Sequence, residues 1–312
     1  MHKLFVNTKK RSILLRIMIS VTLLFIIIYT IGFERIKQQL SHTIFWFFLL
    51  ALLLENFGVM ISAKKWQMLL HDKKIEIPYM DSLSYYYIGS FFNTMMPSSV
   101  GGDVIKAYML GKKADKINVF SSVIMDRLTG LIAVIFIAVL AVASFFSLLP
   151  QRVIPIILLI VVFFFISLLL LIKTSFFERL VDVIFRRWKK ARDFFYEIIM
   201  SLKRYKNKKL LLSALLISLL FHLLMILNNF VLSISIGAGI PLIYFFIFVP
   251  IAELLVALPI SIQGFGVREG SYAILFSSVG ASYAAAFSIG FLDQIVKVVV
   301  SITGGIIYVL KK

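Results

Sequence analysis

Seven stretches of this sequence have the length and apolar character of membrane-spanning helices, and they constrain the fold more than any other feature. A transmembrane helix needs roughly 20 predominantly apolar residues. The stretches cover 13–31, 41–62, 119–149, 153–172, 210–236, 240–259 and 281–310. Because 61% of the residues are hydrophobic and only 15% are charged, a soluble domain of this composition could not keep its surface polar. The sequence therefore predicts an all-α polytopic membrane protein with a single integral membrane domain over 1–312.

Two apolar regions, 81–112 and 241–278, are interrupted by helix-breaking residues. The interruptions consist of Pro97, Ser98, Ser99, Gly101 and Gly102 in the first region and Pro259, Gln263, Gly264 and Gly266 in the second. Proline and glycine break helices, and at membrane depth a break is tolerated only within protein or beside a water-filled cavity. We therefore predict two re-entrant hairpins among about six transmembrane helices. Two full spans in place of the hairpins are the alternative.

The positive charge of the chain is distributed very unevenly, which predicts its orientation. The net charge is +18, and 27 of the 33 lysines and arginines fall on one side if both hairpins are re-entrant. This excess is typical of cytoplasmic loops, so we expect both termini in the cytoplasm and the chain in the cell membrane. Full spans would give a poorer division of 23 to 7. The charge thus indicates topology, and no nucleic-acid partner is expected.

The two interruptions resemble each other, which predicts an internal repeat. Each has a proline, a serine two residues later, an aliphatic residue, glycines, a valine and a base. An acid follows each break early in the next apolar segment, namely Asp126 and Asp293. Since the hairpins enter from opposite sides, we predict an inverted repeat with halves 1–172 and 210–312. A chance clustering of proline, glycine and serine at helix breaks is the alternative.

The linker between the halves, 173–209, is basic and amphipathic. Apolar residues recur every three or four positions over 176–202, and five bases lie on the other face between 186 and 192. This pattern predicts a helix on the anionic inner leaflet. A solvated basic loop is the alternative.

Ionisable residues at membrane depth are costly unless they are paired or hydrated, and they mark functional sites. The candidates are Glu55, Asp103, Lys106, Asp126, Arg127, Glu253, Arg268, Glu269, Asp293 and Lys297. Asp126 and Arg127 diverge by about 100° on a helix and need not pair with each other. Asp293 and Lys297 are four residues apart and can pair. The arginines are also expected to pair across the halves, Arg127 with an acid of the second and Arg268 with one of the first.

Each break places a helix N-terminus, near Gly102 and Gly266, inside the protein, where unpaired N–H groups favour an anion. We predict that a lipid head group contacts Gly101, Gly102, Asp103, Lys106, Gly264, Gly266, Arg268 and Glu269. Asp126, Arg127, Glu253, Asp293 and Lys297 are expected to form a charge network in the cavity. Alternatively, Asp103 and Glu269 cap these N-termini themselves.

The sequence predicts no metal site, cofactor or catalytic residue. It has no cysteine and four histidines, none in a zinc-ligand spacing, and it lacks the phosphate-binding loop of ATPases and the nucleophile motif of hydrolases. His222, Asn228 and Asn229 are expected to hydrogen-bond to neighbouring helices.

Three spaced motifs resemble the lysylphosphatidylglycerol synthase transmembrane family, a flippase-like family of bacterial and archaeal membrane proteins. They are Pro97…Gly101-Gly102-Asp103…Lys106-Ala-Tyr108, Asp126-Arg127-Leu-Thr-Gly130 and Gly264-Phe-Gly266-Val-Arg268-Glu269-Gly270. Lys106 stands where many members have arginine, and Phe265 where leucine is common. The resemblance covers nearly the whole chain, and it implies a two-repeat helical bundle that moves polar lipids between leaflets.

The resemblance thus implies a translocase for a phospholipid or glycolipid, and the missing phosphate-binding loop predicts that it works without ATP. A second copy of this chain in a homo-oligomer or a separate lipid-synthesising enzyme is expected as a further partner. Two-domain members carry a soluble aminoacyltransferase domain. The linker of 37 residues is below domain size, so no such enzyme is expected here. The alternatives are lysyl transfer to phosphatidylglycerol, by this chain or as a subunit, and an ion-coupled small-solute transporter.

Overall fold

The structure is a computed structural model that describes residue 18 and residues 20–96, 101–172, 174–186, 188–258 and 261–311. All regular structure within these ranges is helical. The helices are α1 (Ser20–Ile31), α2 (Phe33–Ser41), α3 (Phe45–Asp72), α4 (Tyr79–Met95), α5 (Gly101–Gly111), α6 (Lys116–Ser144), α7 (Ile154–Ile172), α8 (Thr174–Ile184), α9 (Lys189–Lys203), α10 (Lys208–Ser235), α11 (Leu242–Ala257), α12 (Val267–Ser277) and α13 (Tyr283–Leu310), with a 3₁₀ turn at Phe146–Leu148.

Helices α3, α6, α10 and α13 are each long and apolar enough to cross a membrane. They confirm the apolar segments predicted over 41–62, 119–149, 210–236 and 281–310, and α7 matches the segment 153–172. Helix α3 continues ten residues beyond the predicted end of its segment, to Asp72. The predicted segment 13–31 lies partly outside the described residues, and α1 forms its second half.

Both interrupted regions form two helices in sequence, α4 with α5 and α11 with α12. The prolines of the breaks, and Ser98 and Ser99 with them, lie outside the described residues. The loop before α4 and the loop after α5 line one cavity of about 490 Å³, which places Lys73 and Glu76 near Lys113 and Asp115. The α4–α5 unit therefore begins and ends at the same end of the bundle.

The basic segments meet at this same end. The Lys73 ammonium donates a hydrogen bond to the Ser201 carbonyl oxygen, 2.5 Å away, and Lys311 pairs with Asp81 at 2.8 Å. The region after α3, the α5–α6 loop, the end of α9 and the end of α13 are thereby close together. This is the arrangement that the charge distribution predicts, and the side of the membrane that it faces stays a prediction.

The long helices pack in corresponding pairs. Helix α3 packs on α10, α4 on α13, and α11 on α6, while α5 lies on α6 and α12 on α13. If α3 is exchanged with α10, α4 with α11, α5 with α12 and α6 with α13, the same contacts are obtained. The pattern agrees with two related halves, and their inversion in a membrane stays a prediction.

Two glycines, Gly102 and Gly58, allow close contacts between helices. A Cβ on Gly102 would lie 1.8 Å from the carbonyl oxygen of Gly89, so α4 and α5 touch at a position that only glycine can occupy. A Cβ on Gly58 would lie 3.2 Å from Cε2 of Phe221. This second contact lies near the middle of both α3 and α10.

The linker differs from the single amphipathic helix predicted over 176–202. It consists of α8 and α9, which pack on each other, with a break between Ile184 and Lys189. Phe185 stacks on Phe195 across the break, with ring centroids 4.7 Å apart. In one continuous helix Arg186 would lie beside Lys189 and Lys190, and like charges at that spacing are destabilising.

Helix α1 covers the second break. The Ile262 N–H donates a hydrogen bond to Ser20 Oγ, 2.9 Å away, and a Cβ on Gly266 would lie 2.6 Å from Cβ of Leu23. The N-terminal part of α12 therefore lies against α1.

We expect Gly102→Ala to destabilise the protein by about 2 kcal/mol or more, because the new methyl group must displace α4 from α5. The measurement is thermal unfolding in detergent. Gly130→Ala is the matched control, since a Cβ there meets nothing within 4 Å. Equal melting temperatures for the two variants would contradict the close approach.

Candidate functional site

The first charge cluster consists of Lys65, Asp103, Lys106, Asp126 and Arg127, contributed by α3, α5 and α6. The Lys65 ammonium lies 2.9 Å from Asp126 Oδ1. Lys106 lies between the acids, 3.4 Å from Asp103 Oδ1 and 3.6 Å from Asp126 Oδ2. Arg127 pairs with Asp103 through Nε. All of these residues are buried except Arg127, whose side chain is 54% exposed.

Aromatic rings surround Lys106. Its ammonium lies 4.6 Å from the centroid of the Trp66 ring and 4.1 Å from that of Tyr86. Ring faces attract cations in this range. The Tyr86 hydroxyl also donates to Asp126 Oδ2, 3.1 Å away, and the Trp66 N–H donates to Ser122 Oγ at 3.0 Å. Lys106 is therefore stabilised both by ion pairs and by cation–π contacts.

The second charge cluster consists of Glu253, Arg268, Asp293 and Lys297, contributed by α11, α12 and α13. Arg268 lies 2.9 Å from Glu253 Oε1 and 3.2 Å from Asp293 Oδ2. Lys297 lies 3.3 Å from Glu253 Oε1 and 2.8 Å from Asp293 Oδ2. Each base thus contacts both acids, so the four charges form a closed ring.

Polar side chains extend the second cluster. Arg268 donates to the Gln294 side-chain oxygen through Nη1. Asn229 connects α10 to the cluster, since its amide nitrogen lies 3.5 Å from Asp293 Oδ1 and its oxygen accepts from the Tyr272 hydroxyl at 2.9 Å. Four helices, α10 to α13, therefore meet at the second cluster, in which Asp293 is fully buried.

The predicted pair of Asp293 with Lys297 is confirmed, and so is the divergence of Asp126 from Arg127, whose ionic partners differ. The expected pairing across the halves is wrong, because Arg127 pairs with Asp103 and Arg268 pairs with Glu253 and Asp293. The physical reason is that each short helix after a break packs on the long helix of its own half. The charges of one half therefore lie close enough to pair with each other.

The helix N-termini at the breaks already have partners. The Gly102 N–H donates to Asn93 Oδ1 at 2.8 Å, and the Gly266 N–H donates to Glu269 Oε2 at 2.7 Å. Glu269 is thus a capping carboxylate, whereas Asp103 belongs to the first cluster. An anion that binds Gly266 must displace this carboxylate, and the head-group role of Gly101, Gly102, Gly264 and Gly266 stays a prediction.

The second break contacts the end of α4. The Gln263 side-chain nitrogen donates to Thr94 Oγ1, 3.3 Å away. Gln263 has a positive φ of 47°, and its side-chain oxygen is buried without a hydrogen-bond partner among the described residues. The two broken regions therefore touch each other.

Sequence reasoning missed Lys65, which it assigned to a basic segment outside the membrane. Lys65 is 6% exposed, and its ammonium also donates to Ser218 Oγ of α10 at 2.9 Å. The signal was the apolar run from Trp66 to Leu70, which continues the helix past the two lysines. Ser218, Asn229, Tyr272 and Gln294 are further partners of the clusters that the sequence did not single out.

His222 of α10 lies between the two clusters. Its Nε2 is 3.1 Å from the carbonyl oxygen of Gly130 in α6, which confirms the expected hydrogen bond to a neighbouring helix. On α10 it follows Ser218, which contacts Lys65 of the first cluster, and precedes Asn229, which contacts Asp293 of the second. Asn228 differs, since both of its buried side-chain polar atoms lack a partner among the described residues.

No group of three or more histidine, cysteine or acidic side chains in the described part of the chain could hold a metal ion.

Comparisons with known proteins agree with this architecture. The sequence profile of the lysylphosphatidylglycerol synthase TM region matches residues 13–305. A UPF0104 membrane protein of Pyrococcus horikoshii is 28% identical, over 95% of this chain and 96% of that protein. A UPF0104 membrane protein of Methanothermobacter thermautotrophicus is 24% identical, over 90% and 89%. No solved structure matches the chain.

We expect Asp293→Asn to destabilise the protein by about 3–5 kcal/mol, because it leaves buried bases without their shared acid. The control is Glu178→Gln, which breaks the more exposed pair of Glu178 with Lys203 and is expected to cost under about 1 kcal/mol. Thermal unfolding in detergent measures both. A loss for Asp293→Asn no larger than that of the control would show that the ring of charges is not needed for stability.

Proposed function

Since the chain belongs to the family of the lysylphosphatidylglycerol synthase transmembrane region, we propose that it moves a polar or anionic lipid head group between leaflets without ATP. The observation that carries this proposal is the pair of buried charge clusters beside the two helix breaks, in a bundle whose long helices are apolar. Charges at such depth mark pathways for polar substrates. A lipid is favoured because its acyl chains can remain in the bilayer while its head group crosses.

Each cluster can exchange its own acid for a head-group phosphate. Arg268 presents a planar fork of donors that matches phosphate oxygens, and Lys106 offers a compact charge that its rings position. Both bases are almost completely buried, so the clusters must open before the head group enters. The acids then stabilise the closed state between crossings.

Beside the second cluster are two unsatisfied polar atoms. The Gln294 side-chain nitrogen and Glu269 Oε1 are buried without hydrogen-bond partners among the described residues. Unpaired buried polar atoms are costly, and a head group or water beside Arg268 can satisfy them. This supports Arg268, Glu269 and Gln294 as part of the head-group path.

We further propose that α4–α5 is a re-entrant unit and that the basic end of the bundle faces the cytoplasm. The shared cavity of the loops before α4 and after α5 supports the first part, and the accumulation of lysine and arginine supports the second. Val183, Ile184 and Trp188 are exposed next to the bases Lys189 and Lys190. This supports binding of the α8–α9 linker to anionic inner-leaflet lipid.

The re-entrant topology can be tested by labelling single cysteines, since the natural chain contains none. Lys74→Cys before α4 and Lys113→Cys after α5 are expected to react with a membrane-impermeant maleimide from the same side. The reason is that both positions line one cavity. Reaction from opposite sides would establish a full span and overturn the re-entrant assignment.

Translocation can be tested in proteoliposomes of phosphatidylcholine and phosphatidylglycerol by following the exchange of fluorescent phosphatidylglycerol between leaflets. We expect Lys106→Ala and Arg268→Lys to lower the exchange rate roughly tenfold or more, a rise of about 1.4 kcal/mol in the barrier. Lys106→Arg keeps the charge and is expected to remain active. Lys206→Ala, at an exposed position, is the control.

Thermal unfolding of each variant separates loss of function from loss of fold. The proposal fails if the folded wild type exchanges neither phosphatidylglycerol nor other fluorescent phospholipids and glycolipids. It also fails if folded Lys106→Ala and Arg268→Lys exchange lipid as fast as the wild type.

A further inference from the structure

Glu55 of α3 lies on the face of its helix that points into the bundle. Positions 51, 55, 58, 62 and 65 follow one another at the spacing of a single helix face, and all of them except Glu55 are buried. Glu55 itself is partly buried. Its side chain therefore faces the interior of the bundle, about one helical turn from the Gly58–Phe221 contact.

The second charge cluster leaves Glu55 without a base of its own. Glu253 and Asp293 are both bound by Arg268 and Lys297, so two acids and two bases already balance. In the described part of the chain Glu55 makes no direct ion pair or hydrogen bond, and its helix packs on α13, which carries Asp293 and Lys297 of this cluster. An additional carboxylate charge beside a balanced ring in a membrane costs several kcal/mol.

The helices packed on α3 are α4, α6, α10 and α13. Their buried or partly buried ionisable groups include Tyr87 of α4, Asp126 of α6, His222 of α10, and Asp293 and Lys297 of α13; Asp126 is already paired with Lys65. Lys297 of α13 lies three residues before Val300, which packs with Val59 of α3, one helical turn after Glu55. It is also the base with the longest contact in the ring, 3.3 Å to Glu253.

We propose that Glu55 is a proton-binding site and that the proton bound there keeps the second charge cluster closed. The proposal rests on the proposed function and adds the proton as the ligand that controls it. A proton is favoured over a metal ion because the described residues contain no group of three acidic or histidine ligands. With the proton bound, Glu55 is neutral and the ring of four charges remains balanced.

Loss of the proton gives Lys297 a competing partner. The Glu55 carboxylate attracts Lys297 away from Glu253, so α11 loses one of the contacts that connect it to α13. Opening between α11, α12 and α13 then exposes Arg268 to a head group. The exchange of lipid should therefore become faster as the pH rises, because fewer copies carry the proton on Glu55.

The test compares wild type, Glu55→Gln and Glu34→Gln in the fluorescent phosphatidylglycerol assay, in mildly acidic and mildly alkaline buffer. Glutamine at 55 mimics the protonated acid, so we expect exchange at the slow acidic rate of the wild type and a loss of the pH dependence. Glu34 is 81% exposed outside the cluster, and its variant should behave as the wild type does. A Glu55→Gln variant whose rate still rises with pH overturns the proposal.

Infrared difference spectroscopy of the purified protein tests the site without any lipid movement. The wild type should show a carbonyl band of a protonated carboxyl group that Glu55→Gln loses and Glu34→Gln retains. If the wild type moves no lipid but shows this band, the proton site stands and the translocase proposal fails. If the band is the same in all three proteins, the proton site is wrong whatever the exchange assay shows.

Discussion

The need to neutralise charge inside an apolar bundle determines how this protein is assembled. Asp293 has no exposed surface, and its carboxylate is stable there because Arg268 and Lys297 both contact it. These contacts, with those of Glu253, join α11, α12 and α13 into one unit. The first cluster joins α3, α5 and α6 in the same manner.

Such short contacts require the backbones to come close, and the helix breaks make this possible. An uninterrupted helix across 79–111 would carry Lys106 along a straight axis away from α6. The break lets α5 change direction, and Gly102 lets it touch α4 at Gly89. The features that make the two regions poor continuous helices are therefore the ones that bring Lys106 and Arg268 to their acids. A bound head group would have to compete with contacts that also maintain the fold.

The sequence predicted the positions of the long helices and of the two breaks, because apolar length and helix-breaking residues are local properties. It did not predict the partners of Arg127 and Arg268, since a linear pattern indicates the depth of a charge but not the direction in which its side chain points. It also misplaced Lys65, because two adjacent lysines resemble the end of a membrane segment while the helix continues to Asp72. It predicted one linker helix, whereas α8 and α9 fold onto each other with Phe185 stacked on Phe195, a contact between residues ten positions apart. The head-group role of the glycines stays a prediction.

On α3 the contact of Gly58 with Phe221 lies between Glu55 and Lys65, which are about 15 Å apart along the helix axis. At that distance two unit charges interact by only about 1 kcal/mol if the effective dielectric constant is about 20. A change of charge at Glu55 therefore has little effect on the energy of Lys65. The two ends of α3 can be charged almost independently, and the middle of α10, where His222 contacts the Gly130 carbonyl oxygen, lies between them.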